Sequence, residues 1–340
     1  MNKKNWLLIL SALVLTVSSF SSCKKDNNDE TDKTTEWSAQ AAFSGDPRSG
    51  AASFVIDNKV YATTGLINNK VRAVDVQKFD ADKKSWISLP TSSNFPGIAR
   101  SGAVGFSIGK IGYVGSGTDD GTNALSDFYS FDSATETWKK IADLPIALNG
   151  AVAFSVGGKG YVGTGATNGT QGGSKNENRF FEYNPATNVW TEIDAVTFPN
   201  KVTGAFAFVI NNVAYVGGGV SSYGYGEALR QFDGKSGWIT KNSLKRSDGT
   251  YSYDLTRSNA STFAIGGNGF LVGGLKNSVA QNTTYKYVAS GDYWTTENTA
   301  LAGSARYNAI SFAIGSNGFI STGLNGTNPL DDTWMFTPVY

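Results

Sequence analysis

Short runs of alternating apolar and polar residues recur along the chain, each bounded by glycine, asparagine or aspartate. The stretch from Gly102 to Trp138 shows the unit. It holds one strand centred on Phe106, and a second through Ile111-Gly112-Tyr113-Val114 that stops at Gly115-Ser116-Gly117. A third runs through Asp127 to Phe131, and after a turn Trp138 opens a fourth. A period of two over runs this short predicts half-buried strands, and no sustained helical period occurs beyond the N-terminal segment. The fold class is therefore all-β.

The unit repeats. First-strand Phe residues stand at 54, 106, 154, 208, 263 and 312, and second-strand aromatics at Tyr61, Tyr113, Tyr161, Tyr215, Phe270 and Phe319. Glycines follow the second strand at Gly65, Gly117, Gly165, Gly217 to Gly219, Gly273-Gly274 and Gly323. Third-strand aromatics come at Phe79, Phe131, Tyr183, Phe232, Tyr287 and Phe336, and tryptophans at Trp86, Trp138, Trp190, Trp238 and Trp294. The chain ends before a sixth tryptophan, and Trp37 is the one left over. Self-similarity at a period of roughly fifty residues predicts a propeller of six four-stranded blades. The N-terminal strand around Trp37 is expected to complete the last blade, because an open array would leave unpaired edges at both ends.

With its glycines behind the second strand, following aromatic and spaced tryptophan, the stretch from Thr35 to Tyr340 resembles the kelch repeat. That resemblance implies a single domain, 35–340, in a six-bladed kelch β-propeller. Kelch propellers also resemble the catalytic domain of galactose oxidase, whose copper site needs two histidines and a tyrosine crosslinked to cysteine. This chain has no histidine and one cysteine, so that set cannot be assembled.

The N-terminus reads differently. Lys3 and Lys4 precede an apolar run from Trp6 to Val17, then small residues and Cys23, which predicts a signal peptide over 1–22. Phe20-Ser21-Ser22-Cys23 resembles a bacterial lipobox and implies lipid attachment at Cys23. The polar stretch 23–34 is expected to be a disordered tether, and its Lys-Asp-rich start resembles the export signal of Bacteroidetes surface lipoproteins. The expected location is the bacterial outer membrane, on its periplasmic or cell-surface face. Incorporation of labelled fatty acid that a Cys23→Ser change abolishes would support this, and incorporation that survives the change would overturn it.

A net charge of +1 gives no global field that would favour nucleic acid, and a monomer is expected. The absence of histidine removes imidazole-dependent triads and most zinc and copper sites. Asp119-Asp120 and Asp331-Asp332 have turn chemistry rather than calcium-loop spacing, so no metal or cofactor is expected. The glycine clusters precede strands, without the helix N-terminus that makes such loops bind phosphate.

Binding residues are sought where strand-one starts and strand-two-to-three turns reach the same face. At one repeat position the copies carry Arg48, Arg100, Leu148, Val202, Arg257 and Arg306. Arg48-Ser49-Gly50-Ala51 and Arg100-Ser101-Gly102-Ala103 resemble segments of kelch substrate adaptors that hold acidic peptides, which implies a basic arc of Arg48, Arg100, Arg257 and Arg306. Loop 220–228 adds Tyr223, Tyr225 and Glu227, and loops 166–178 and 244–257, the latter with Tyr251 and Tyr253, are further rim elements. The leading expectation is a lipid-anchored binding module for an acidic or carbohydrate-like ligand or a protein partner. The alternative resembles a periplasmic kelch epimerase acting on sialic acid, with arginine for the carboxylate and Glu227 or a tyrosine for proton transfer.

Overall fold

In a computed structural model the chain divides into Met1–Lys33 and Thr34–Tyr340. The structure describes residues 36–338 apart from 69, 120–122, 168–174 and 194–197, all within the second unit. The expected signal peptide and tether, with Cys23, fall outside the described residues, as do Asp120, Asn168-Gly169 and Gly172-Gly173.

The described chain is all-β, with one short 3₁₀ turn at Thr91–Ser93. Six antiparallel sheets each run four strands along their main path. The first contains Ala52–Ile56, Lys59–Thr63, Val76–Asp80 and Ser85–Ser88 in that order, and the next four repeat it from Val104, Val152, Thr203 and Ser261. The sixth begins at Ile310–Ile314, and its outer strand is Glu36–Gln40, antiparallel to Thr333–Thr337 with Trp37 opposite Phe336. No sheet closes on itself.

Stacked aromatics hold neighbouring sheets together. Phe54 stacks on its cross-strand partner Tyr61 at 5.4 Å, and Tyr61 packs at 5.0 Å on Phe131 of the next sheet. The same step recurs at Tyr113–Tyr183, Tyr161–Phe232, Tyr215–Tyr287 and Phe270–Phe336, and Phe79–Phe319 links the sixth sheet to the first. Each ring needs room in the facing strand. A Cβ on Gly112 would lie 2.1 Å from the Phe54 ring and one on Gly160 2.2 Å from Phe106, which explains glycine in the middle of these strands.

Two cycles of backbone hydrogen bonds run through all six repeats. The N–H groups of Gly102, Gly150, Gly204, Asn259 and Asn308 each donate to the residue one repeat earlier, and Gly50 donates to Asn308 at 2.8 Å. All six residues have φ between 52° and 65°, the left-handed region open to glycine and tolerated by asparagine. They and the alanines that follow line a central cavity of about 140 Å³. In the second cycle Gly65, Gly117, Gly165, Gly219, Gly274 and Gly323 donate to the carbonyls of Arg100, Leu148, Val202, Arg257, Arg306 and Arg48.

Candidate functional site

The second cycle fixes the residue at the arginine position of each repeat, and its side chain turns inward. The sequence suggests a basic arc at the surface, but Arg48, Arg100 and Arg306 are completely buried and Arg257 is 1% exposed. Arg100 donates both Nη atoms to Asp127 at 2.7 Å, Nη1 to the Ser116 carbonyl at 3.1 Å and Nε to the Ile98 carbonyl at 2.8 Å. Arg48 makes the same set with Asp75, Thr64 and Asp46, and Arg306 with Asp332, Thr322 and Ser304. Arg48 and Arg100 also lie over Phe43 and Phe95 at 5.0 and 4.9 Å. The planar fork matches a carboxylate and two carbonyls at once, so a buried charge is tolerated there. These guanidiniums are struts inside the fold.

Burial pushes the Asp75, Asp127 and Asp332 carboxyls up, but the hydrogen bonds and charge of their arginines outweigh it and leave all three below the usual carboxylate range. In the fifth repeat Thr283 stands in for the aspartate and accepts from Arg257 Nη1 at 2.9 Å. Burial lowers the Arg257 pKa.

The third and fourth repeats lack the strut. The third has Leu148 at the arginine position, and Arg179, which precedes Phe180 as Asp127 precedes Phe128, pairs with Glu192 at 2.6 Å. The fourth has Val202 for the arginine and Ala228 for the aspartate. Both Val202 and Ala228 line a cavity of about 930 Å³. Around them stand Lys175, Asn200, Lys201, Tyr223, Tyr225 and Glu227.

The cavity walls are tied down. Asn176 Nδ2 donates to the Val220 carbonyl at 3.1 Å and Asn178 Nδ2 to the Phe198 carbonyl at 2.9 Å, which joins the third sheet's rim to the fourth. On the other side Tyr225 Oη accepts the Asn277 N–H at 2.6 Å. Between these ties the hairpin of 221–224 turns through Gly224 at φ 115°, and Ser221 Oγ accepts the Tyr223 N–H at 3.1 Å. Tyr223 is 99% exposed at its tip.

Similarity to known proteins bears on the fold. The solved structure of YjhT superposes with a TM-score of 0.68 at 16% sequence identity, covering 86% of this chain and 95% of that one. The fold is a β-propeller. Neither a protein-family model nor a curated protein matches the chain.

Within this propeller the sequence-predicted site residues separate into two groups. Tyr223, Tyr225 and Glu227 share the cavity, and the four arginines are held in the struts. The Glu227 side chain is about half exposed, with its carboxylate 3.9 Å from Lys245 Nζ. On the 244–257 rim element, Tyr253 is buried and Tyr251 stacks on Tyr293 at 5.0 Å, so both serve packing. Lys175, Asn200 and Lys201 were not singled out by the sequence reading. The signal for them is the loss of the repeat arginine at Val202, two residues after Asn200, together with the missing acidic partner at Ala228. Amides, two ammonium groups and two phenol rings in one cleft suit a polar ligand with an acid group and a flat apolar face.

Proposed function

We propose that the chain is a six-bladed kelch-type propeller, closed by the strand Glu36–Gln40, that acts as a binding module for an acidic or carbohydrate-like ligand. The ligand site is the cavity between the rims of the third and fourth blades. The observation that carries this reading is that Val202 and Ala228 lie in that cavity at the positions where three other repeats hold a buried arginine paired with an aspartate. With a valine and an alanine in place of a guanidinium and a carboxylate, this wall of the cavity carries no ion pair of its own. Tyr225, Lys175 and Lys201 supply the recognition groups around it.

A catalytic reading would use Glu227 and Tyr225 for proton transfer beside an arginine that holds the substrate's carboxylate. Glu227 faces Lys245 at the rim, and the repeat arginines are committed to Asp75, Asp127, Asp332 and Thr283. Both facts favour binding over catalysis. A screen of glycans and acidic metabolites against the full-length chain tests the proposal. The expected hit loses on the order of tenfold in affinity with Lys201→Gln, the loss of one charge-assisted contact. A hit untouched by Lys201→Gln, or no hit in the screen, would overturn it.

A further inference from the structure

The geometry points to an oligosaccharide with more than one acid group, such as an oligouronate, as the ligand of this cavity. This deepens the binding reading above and rests on it. Three observations carry it. The first is size: about 930 Å³ lies near the upper end of the roughly 300–1,000 Å³ of sites that bury a drug-sized molecule. A single pyranose would leave most of that space to water.

The second is charge. Lys175 comes from the rim hairpin of the third blade and Lys201 from the connector into the fourth, so the two lysines line the cavity from separate segments. Among the described residues neither lies within ion-pair distance of a carboxylate. Two such cations in one cleft match two acid groups on one ligand better than one.

The third is Tyr223. Its backbone is fixed by Ser221 Oγ, yet its ring projects at the cavity mouth almost wholly in solvent. An aromatic face exposed at the rim of the cavity stacks fully on a sugar ring only if the ligand extends beyond the part that is enclosed. An oligomer with one end seated between Lys175 and Lys201 and its next units crossing Tyr223 meets all three conditions.

Calorimetric titration of the full-length protein with galacturonic acid and its dimer, trimer and tetramer tests this, with a neutral galactose series and hexaglutamate alongside. The acidic series is expected to gain on the order of tenfold in affinity over the first added units. Tyr223→Ala should erase the gain of the outermost unit and cost the longer oligomers more affinity than the monomer, with the fold intact because the exposed ring packs on nothing. Lys175→Gln and Lys201→Gln should each flatten the difference between the acidic and neutral series. Equal affinity for monomer and trimer would overturn the oligomer inference while leaving the cavity reading intact. Preference for hexaglutamate, parity of the neutral series, or silence of every probe would overturn the acidic-glycan class. Binding that persists unchanged in the Val202→Arg, Ala228→Asp double variant would instead sink the cavity reading itself.

Discussion

Replacing Arg100 with alanine is expected to lower the unfolding free energy by ~3–5 kcal/mol, the range for breaking a buried ion pair by removing one partner. The change strands the Asp127 carboxylate and removes donors from the Ser116 and Ile98 carbonyls, and it empties the space over Phe95. Arg100→Val combined with Asp127→Ala should cost less than the sum of the single changes, because no charge is then left unpaired. The fourth repeat is a natural instance of that combination, with Val202 and Ala228. Denaturant unfolding of the two singles and the double decides it; an Arg100→Ala chain as stable as the parent would contradict the strut assignment. The pairs also fix a pH response. Asp75, Asp127 and Asp332 have depressed folded pKa values, so their contribution is complete above the ordinary carboxylate value of about 3.9 and is lost as the pH falls through the lower folded values. Asp127→Asn should blunt that acid sensitivity.

Deleting residues through Ser38 should lower the melting temperature by roughly 10 °C or more, while deleting only through Thr34 should leave it nearly unchanged. Trp37 is 9% exposed, packs on Phe336 at 5.0 Å and donates Nε1 to Thr284 Oγ1 and the Thr299 carbonyl of the neighbouring blade. Loss of one buried tryptophan alone costs ~3–5 kcal/mol. The longer deletion also strips most of the outer ladder partners from Thr333–Thr337 and opens that edge to other chains. Equal melting temperatures for the two truncations would refute closure by this strand.

The propeller was legible in the sequence because its core signals are strictly periodic. Phe54 and Tyr61 face each other across one hairpin and meet Phe131 of the next sheet, and the same types recur at the same offsets around the chain. The spacing of Trp37 likewise announced its partner strand. The arginines were legible as a repeat position but not as struts. Their burial depends on Asp75, Asp127 and Asp332, which stand one third-strand step away, and an arginine before a glycine turn is otherwise a surface pattern. Reading the two positions as a coupled pair would have exposed both the strut and its absence at Val202 and Ala228. Lys175 and Lys201 could not be placed from spacing alone, because the 166–178 loop is longer than its counterparts and the connector into the fourth repeat ends in Val202 without the repeat arginine.

The most direct measurement is the affinity of the screened ligand for a chain carrying both Val202→Arg and Ala228→Asp. At these positions the new guanidinium would find the Gly218 and Asn200 carbonyls where Arg100 finds those of Ser116 and Ile98, with the new carboxylate in the place of Asp127. The restored ion pair should occupy and narrow the cavity at that wall, hold or raise the melting temperature, and reduce ligand binding by two orders of magnitude or more, the loss of about 2.7 kcal/mol. A folded double variant that binds the ligand as tightly as the parent would contradict the assignment of this cavity as the site.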